Sequence, residues 1–258
     1  MQAPDELREL FEEYLARLPL HATPEAPGLD DAMRYPVAAG GKRLRPVLCL
    51  AVGEAVGVEP RELLPAAAAV ELVHTFSLVH DDLPALDDDA TRRGSPSAHV
   101  RFGEAVAILA GDALLAQAFE LTASYESAAP TRELARATLE MIGGQYLDVT
   151  RADVDLLDLH RLKSARLYGA AIGCALSLAD VDPAEQVSWR DFADAFGRLF
   201  QLVDDLHDGD GAVLEHGEEA ARELARGQAH QAREALSRVH AETAVVATLL
   251  EDLARQAG

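Results

Sequence analysis

The sequence predicts an all-α fold in a single domain, residues 1–258, built from ten or so helices. Three observations carry that expectation. Alanine, leucine, glutamate and arginine fill most segments, and apolar residues return at the three- and four-residue spacing of a helical face. No stretch alternates apolar and polar residues over the length of a strand. Neither an internal repeat nor a low-complexity linker divides the chain. In chain order, residues 5–18 are an opening amphipathic helix that Pro19 closes. Residues 21–29 hold Pro24, Pro27 and Gly28 and are expected to form a loop. Helices follow at about 44–56, 61–83, 103–124, 131–149, 155–179, 183–207, 218–239 and 241–256, with Pro60 and Pro183 where a helix tolerates proline, at its start. Residues 65–73 and 167–179 are apolar nearly all round, which places their helices in the middle of a bundle.

Composition narrows the function. Apolar residues are 49% and charged residues 26%, enough for a sizeable core, and the formal charge is -21. Nucleic acid and anionic membranes are held by cationic surface, so neither is an expected partner. An anionic ligand would have to be met by a local basic cluster or by a metal ion. Cys49 and Cys174 are the only cysteines, which excludes a disulfide framework and a cysteine zinc site. The longest uncharged run, residues 167–179, is shorter than the roughly 20 residues that span a bilayer. Asp5, Glu6 and Glu9 stand where a secretory leader would be basic. A soluble, cytoplasmic protein that does not span a membrane is expected.

Two aspartate clusters stand out. Asp81, Asp82, Asp87, Asp88 and Asp89 gather at the end of one apolar helix, and Asp204, Asp205 and Asp208 at the end of another. Carboxylates at a helix C-terminus oppose the macrodipole and repel one another, so both placements cost stability. A solvated acidic loop accounts for either cluster alone; two such clusters, each closing an apolar helix, point to a bound cation. Oxygen-only ligands favour Mg²⁺, which completes its shell with water and substrate phosphate, and no EF-hand pattern argues for calcium.

A basic set accompanies them. Only Lys42 and Lys163 are lysines, against 21 arginines, which marks both as positions suited to a compact ammonium. Lys42 lies in Gly40-Gly41-Lys42-Arg43-Leu44-Arg45-Pro46, a glycine-led basic turn opening a helix and suited to an anion; its glycine spacing is not that of a P-loop. Arg92 and Arg93 follow the first aspartate cluster, as a salt-bridged surface pair or as anion ligands. His74, two turns before Asp81 on roughly the same face, is a core histidine or a site residue. His80, His160 and His207 receive no assigned role.

Together these segments resemble the trans-isoprenyl diphosphate synthase (polyprenyl synthetase) family. The matching stretches are GGKRLRP at 40–46, ELVHTFSLVHDDLPALDDDATRRGSPSAH at 71–99, GGQYLD at 143–148, HRLKSARL at 160–167 and GRLFQLVDDLHD at 197–208, in the family's order. The resemblance implies antiparallel helices around a deep central cavity, usually in a homodimer. It implies that Asp81, Asp82 and Asp87, with Asp204, Asp205 and Asp208, hold three Mg²⁺ ions on the diphosphate of an allylic substrate. Arg92, Lys163 and Gln201 match positions at that diphosphate; Lys42, Arg45, His74 and Arg93 match the pocket for isopentenyl diphosphate. Product length is set just before the first motif, at Phe76 and Ser77. An aromatic there, with the longer spacing between aspartates, resembles bacterial farnesyl diphosphate synthases and implies a C15 product, with C20 as the alternative.

One feature departs from the family. Its glycine- and lysine-rich loop after the second motif is replaced by a short run from Gly209 to Glu219, and no lysine follows Lys163. Weaker allylic binding or a leakier site is expected. A weakly active or non-catalytic partner subunit stays open on this ground. A class I terpene cyclase would not use the second basic pocket, and a non-catalytic metal-binding protein would use neither the arginine pair nor the basic turn.

Overall fold

The computed structural model describes residues 1–151 and 153–257. Helices run in the order α1 (Pro4–Arg17), α2 (Pro27–Ala38), α3 (Leu44–Ala55), α4 (Pro60–Asp81), α5 (Ala98–Phe102), α6 (Glu104–Ala123), α7 (Ala129–Val149), α8 (Leu156–His160), α9 (Arg166–Leu178), α10 (Pro183–Asp208), α11 (Gly211–His216), α12 (Glu218–Ser237) and α13 (Ala244–Ala254). The all-α expectation holds, and several of the helices open on proline. Pro60 and Pro183 open α4 and α10, and the Asp182 side chain accepts from the Ala184 N–H at 2.8 Å. Gly209, at φ 72°, closes α10.

α3, α4 and α9 form the middle of the bundle, packed on one another, with α6 and α7 on one side and α10 and α12 on the other. Residues 45–53 of α3 are all buried, as are most of α4 and residues 170–176 of α9. This is why those stretches carry almost no charge. Pro65 interrupts the ladder of α4, and the Tyr125 hydroxyl fills the gap, accepting from the Ala66 N–H at 3.2 Å and donating to the Glu62 carbonyl at 2.7 Å.

Two local expectations are corrected, at residues 27–38 and 155–179, and two short elements appear where none was predicted. Residues 27–38 are helix α2, because Pro27 sits at its first position, where no N–H is needed, and Pro36 only near its end. A two-residue antiparallel ladder, β1 (Thr91–Arg92) with β2 (Ser95–Pro96), tightens the turn after the first aspartate cluster. Residues 211–216 form a short helix of their own, α11. The single helix expected over 155–179 is instead α8, a π-helical turn at Arg161–Ala165, and α9. That turn is wedged between two glycines: a Cβ on Gly144 of α7 would stand 2.9 Å from the Lys163 amide nitrogen, and one on Gly197 of α10 would collide with Ala165. Such single-turn widenings gather at functional sites, and this one carries Lys163.

Among the described residues two helices, α4 and α6, are long and apolar enough to cross a bilayer, a property the longest uncharged run does not report. In α4 the apolar stretch is 72% buried in the bundle, which accounts for it; in α6 only 33% is buried. Ile108 and Leu109 of α6 and Leu139, Ile142 and Tyr146 of α7 are large apolar side chains exposed at the surface.

Candidate active site

The end of α4, the start of α3, the π-turn and the end of α10 enclose a cavity of about 620 Å³. Ten of the residues singled out from sequence line it: Lys42, Arg45, His74, Ser77, Asp81, Arg92, Arg93, Lys163, Gln201 and Asp204. Both aspartate clusters therefore reach one void. A second cavity of about 390 Å³ adjoins it, walled by Phe76, Leu86, Met141, Ile142, Tyr146 and Val149. Ser77, Asp81 and Lys163 border both, so a polar chamber and an apolar chamber meet at these three residues.

The acidic pairs divide by helix geometry. Successive residues on a helix point about 100° apart, and of each adjacent aspartate pair only one member lines the cavity. Asp81 and Asp204 do. Asp82 is 3% exposed and its carboxylate is taken by Arg92, whose Nε donates to it at 2.6 Å; Arg92 also reaches Asp89 at 3.2 Å. Asp205 is 2% exposed and accepts from Gln201 Nε2 at 2.9 Å and from the Ala212 N–H at 2.8 Å, with His160 Nε2 at 3.3 Å. Asp82 thus braces Arg92, and Asp205 pins α11 against α10, while Asp81 and Asp204 are the members of the two pairs that reach the cavity. Asp87 and Asp208 are exposed, and each lies near enough to act on Asp81 and Asp204 respectively.

Charge in the cavity is poised for ligands. Burial, opposed by Lys163 and reinforced by Asp87, pushes the Asp81 carboxyl up to about 6. Burial, opposed by Lys42 and reinforced by Asp208, also raises Asp204. Both hold their negative charge at a cost that a cation would relieve. Among the described residues no three ligating side chains are already gathered around one point, so a metal here must draw further oxygens from a ligand or water. The donors are hard carboxylate oxygens, and they fit Mg²⁺.

The basic side carries the complementary imbalance. Arg45 is 8% exposed, its Nε has no partner, and no carboxylate pairs with it among the described residues. Two aromatic faces hold it instead, Tyr168 at 4.5 Å and Phe200 at 5.4 Å, a contact that steadies a guanidinium without neutralising it. Lys42 lies 5.5 Å from the Phe200 ring centre and 3.8 Å from Asp204. Arg93, in left-handed backbone at φ 52°, donates to the Gly40 carbonyl, and a Cβ on Gly41 would stand 2.9 Å from its guanidinium. Gly41, at φ 144°, is required by its backbone, and its bare face leaves the room that the Arg93 guanidinium takes. Burial and then Arg45 and Arg93 hold His74 well below its ordinary pKa, so it is a neutral hydrogen-bonding group.

Sequence reasoning passed over two further residues. Ser164 donates to Gln201 Oε1 at 2.6 Å, so Ser164, Gln201, Asp205 and His160 form one connected run. Asp148, last residue of the GGQYLD stretch, pairs with Lys163. An acid closing a glycine-containing motif was the available signal for Asp148; nothing in the sequence marks Ser164 beyond its place after Lys163. Phe76 packs edge-on against His80 at 4.8 Å, at the floor of the apolar chamber.

Comparison with known proteins agrees with this architecture. The polyprenyl synthetase family model matches residues 26–242. Over 217 residues the chain is 44% identical to the large subunit 1 of a heterodimeric geranylgeranyl pyrophosphate synthase of Arabidopsis thaliana, covering 76% of this chain and 58% of that protein. It is 39% identical over 199 residues to the farnesyl diphosphate synthase of Bacillus subtilis, 71% of this chain and 67% of that one. The chain thus spans under two thirds of the length of its plant relatives. Among solved structures, a geranyltransferase from Legionella pneumophila superposes with a TM-score of 0.89 at 31% identity, over 98% of this chain and 96% of that one.

Proposed function

This chain belongs to the polyprenyl synthetase (trans-isoprenyl diphosphate synthase) family, and from that membership we propose that it is a prenyltransferase joining an allylic diphosphate, dimethylallyl or geranyl, head-to-tail to isopentenyl diphosphate. The observation that carries this reading is one cavity that holds the carboxylates of Asp81 and Asp204 beside the unpaired buried guanidinium of Arg45, and that adjoins an apolar chamber. Two anions and a hydrocarbon tail are what such a void accommodates.

Asp81 and Asp87, with Asp204 and Asp208, hold Mg²⁺, three ions in the full complex. Bound magnesium supplies the positive charge that stabilises diphosphate as a leaving group. Arg92, Lys163 and Gln201 orient that diphosphate so that its C–O bond lies where the two chambers meet. As the bond breaks, the guanidinium and ammonium groups meet the growing negative charge, an electrostatic contribution prepared in advance. The apolar chamber shields the allylic cation from water. Lys42, Arg45 and Arg93 seat isopentenyl diphosphate by charge, and neutral His74 by hydrogen bonding. Its double bond attacks the cation, and the released diphosphate takes the proton that leaves.

For the product, the Phe76 ring at the chamber floor supports farnesyl diphosphate (C15). Geranylgeranyl names outnumber farnesyl names among the relatives, which supports C20 as the second reading. A homodimer is supported by the exposed apolar side chains of α6 and α7; Ile142 and Tyr146 are among them and also line the apolar chamber, which a second copy would close. Incubating the purified protein with Mg²⁺, radiolabelled isopentenyl diphosphate and each allylic diphosphate, then sizing the products, tests the proposal. Absence of any condensed product with every primer refutes it.

A further inference from the structure

The two arginines of the GGKRLRP turn meet opposite fates. Arg45 keeps its charge free, whereas Arg43 spends its own entirely. Arg43 is 4% exposed, and its guanidinium donates to Glu71 at 2.6 Å, to Glu12 at 2.9 Å and to the Val37 carbonyl at 2.7 Å. Those acceptors belong to α4, α1 and α2, so one side chain ties three helices. Its backbone is left-handed, at φ 49° and ψ 31°, a conformation an arginine keeps only where its surroundings impose it. A buried ion pair of this kind roughly breaks even against apolar packing, so stability alone does not account for it.

What hangs from this backbone is the basic pocket. Lys42 precedes Arg43 and Arg45 follows two residues on, both lining the cavity. Arg93 takes its place from the Gly40 carbonyl and the bare face of Gly41 in the same turn. The shape of residues 40–43 therefore sets the position of all three cations. We propose that Arg43, through Glu71 and Glu12, is the positioning residue of this pocket, holding the turn in the one conformation that aims Lys42, Arg45 and Arg93 at a single diphosphate. Taking that diphosphate to be isopentenyl diphosphate rests on the prenyl-transfer reading; the positioning role does not.

The test separates placement from stability. Removing Arg43 alone strands a buried Glu71 carboxylate, so the informative protein is the paired variant Arg43→Met/Glu71→Met, which removes both charges, leaves the Val37 carbonyl without its donor and is expected to melt close to the wild-type midpoint. Its KM for isopentenyl diphosphate is expected to rise about tenfold to a hundredfold with the allylic KM unchanged, the scale of a small misplacement of binding groups. Arg43→Lys, with one donor group for Glu71 and no fork, should fall between the two. Calorimetric titration with inorganic pyrophosphate in the absence of magnesium gives the second readout, where affinity is expected to fall by a similar factor. Equal pyrophosphate affinity in wild type and paired variant overturns the positioning role. So does a parallel rise in both KM values, a loss confined to the melting midpoint, or a wild-type protein that binds no pyrophosphate. A wild-type protein that turns over no diphosphate pair overturns the prenyl-transfer reading alone, and the titration then decides the role of Arg43.

Discussion

Replacing Asp81 by asparagine should stabilise the metal-free protein while abolishing its response to metal. Burial carries this carboxyl from its ordinary 3.8 up to about 6, so its ionised form at neutral pH is destabilising by at most about 3 kcal/mol. Solvent at the cavity wall screens part of this, leaving roughly 1–2 kcal/mol. In a chain of this size that is about 2–8 °C in melting midpoint. The sign follows from proton counting. Between 3.8 and about 6 the folded state binds the proton and the unfolded state does not, so metal-free wild-type stability rises as pH falls from 7 toward 5. The asparagine side chain carries no such proton, and the difference between the two proteins should shrink over the same interval. The assay is thermal denaturation in chelator from pH 5 to pH 7.5, repeated with pyrophosphate with and without Mg²⁺; magnesium should add stability to wild type and not to the variant, whereas pyrophosphate alone, held by the basic pocket, should stabilise both. A variant that melts at or below wild type in chelator at pH 7, or a gap that widens on acidification, refutes the reasoning.

The remaining expectations concern the other walls of the site. Arg45→Met strands no carboxylate, so its melting midpoint should hold while the KM for isopentenyl diphosphate rises about 10- to 150-fold, the worth of a charge-assisted hydrogen bond; unchanged KM would contradict the unpaired-guanidinium argument. Asp204→Ala should lose magnesium activation without losing stability, whereas Asp205→Ala, leaving Gln201 and the Ala212 N–H unpaired in the interior, should cost about 2–4 kcal/mol in denaturant unfolding. The reverse pattern would show that the wrong member of the pair had been taken as the ligand. Phe76→Ala deepens the apolar chamber, and chromatography of the products should show a shift to longer chains; an unchanged product places the stop elsewhere. Because the segment after Asp208 is short, allylic alcohol from hydrolysis should accompany condensed product at a higher proportion than in relatives with the longer loop, and equal proportions would count against this.

Much of the site was legible because its residue types are costly where they stand. Two aspartate clusters each closing an apolar helix, with a basic turn in a chain of charge -21, are together poorly explained as solvated loops, and both reached the same cavity. Orientation within each pair was the less legible part, although the 100° step between neighbours on a helix already argues that Asp81 and Asp82 diverge, and likewise Asp204 and Asp205. Helix α2 was hidden by a density of prolines whose positions, first turn and last turn, do little harm to a helix. The π-turn at Arg161–Ala165 was not legible at all. It follows from how closely Gly144 and Gly197 let two other helices approach, and those contacts join residues far apart in sequence.

By itself the sequence determined the helical class, the middle helices of the bundle and the charge carried by the two clusters, since these depend on local periodicity and on single side chains. Only the tertiary structure decided which aspartate of each pair meets the cavity, which arginine stays free and which is consumed, and where the apolar chamber joins the polar one. Those outcomes depend on what each side chain finds opposite it once the helices pack, and a linear order of residues does not contain that information.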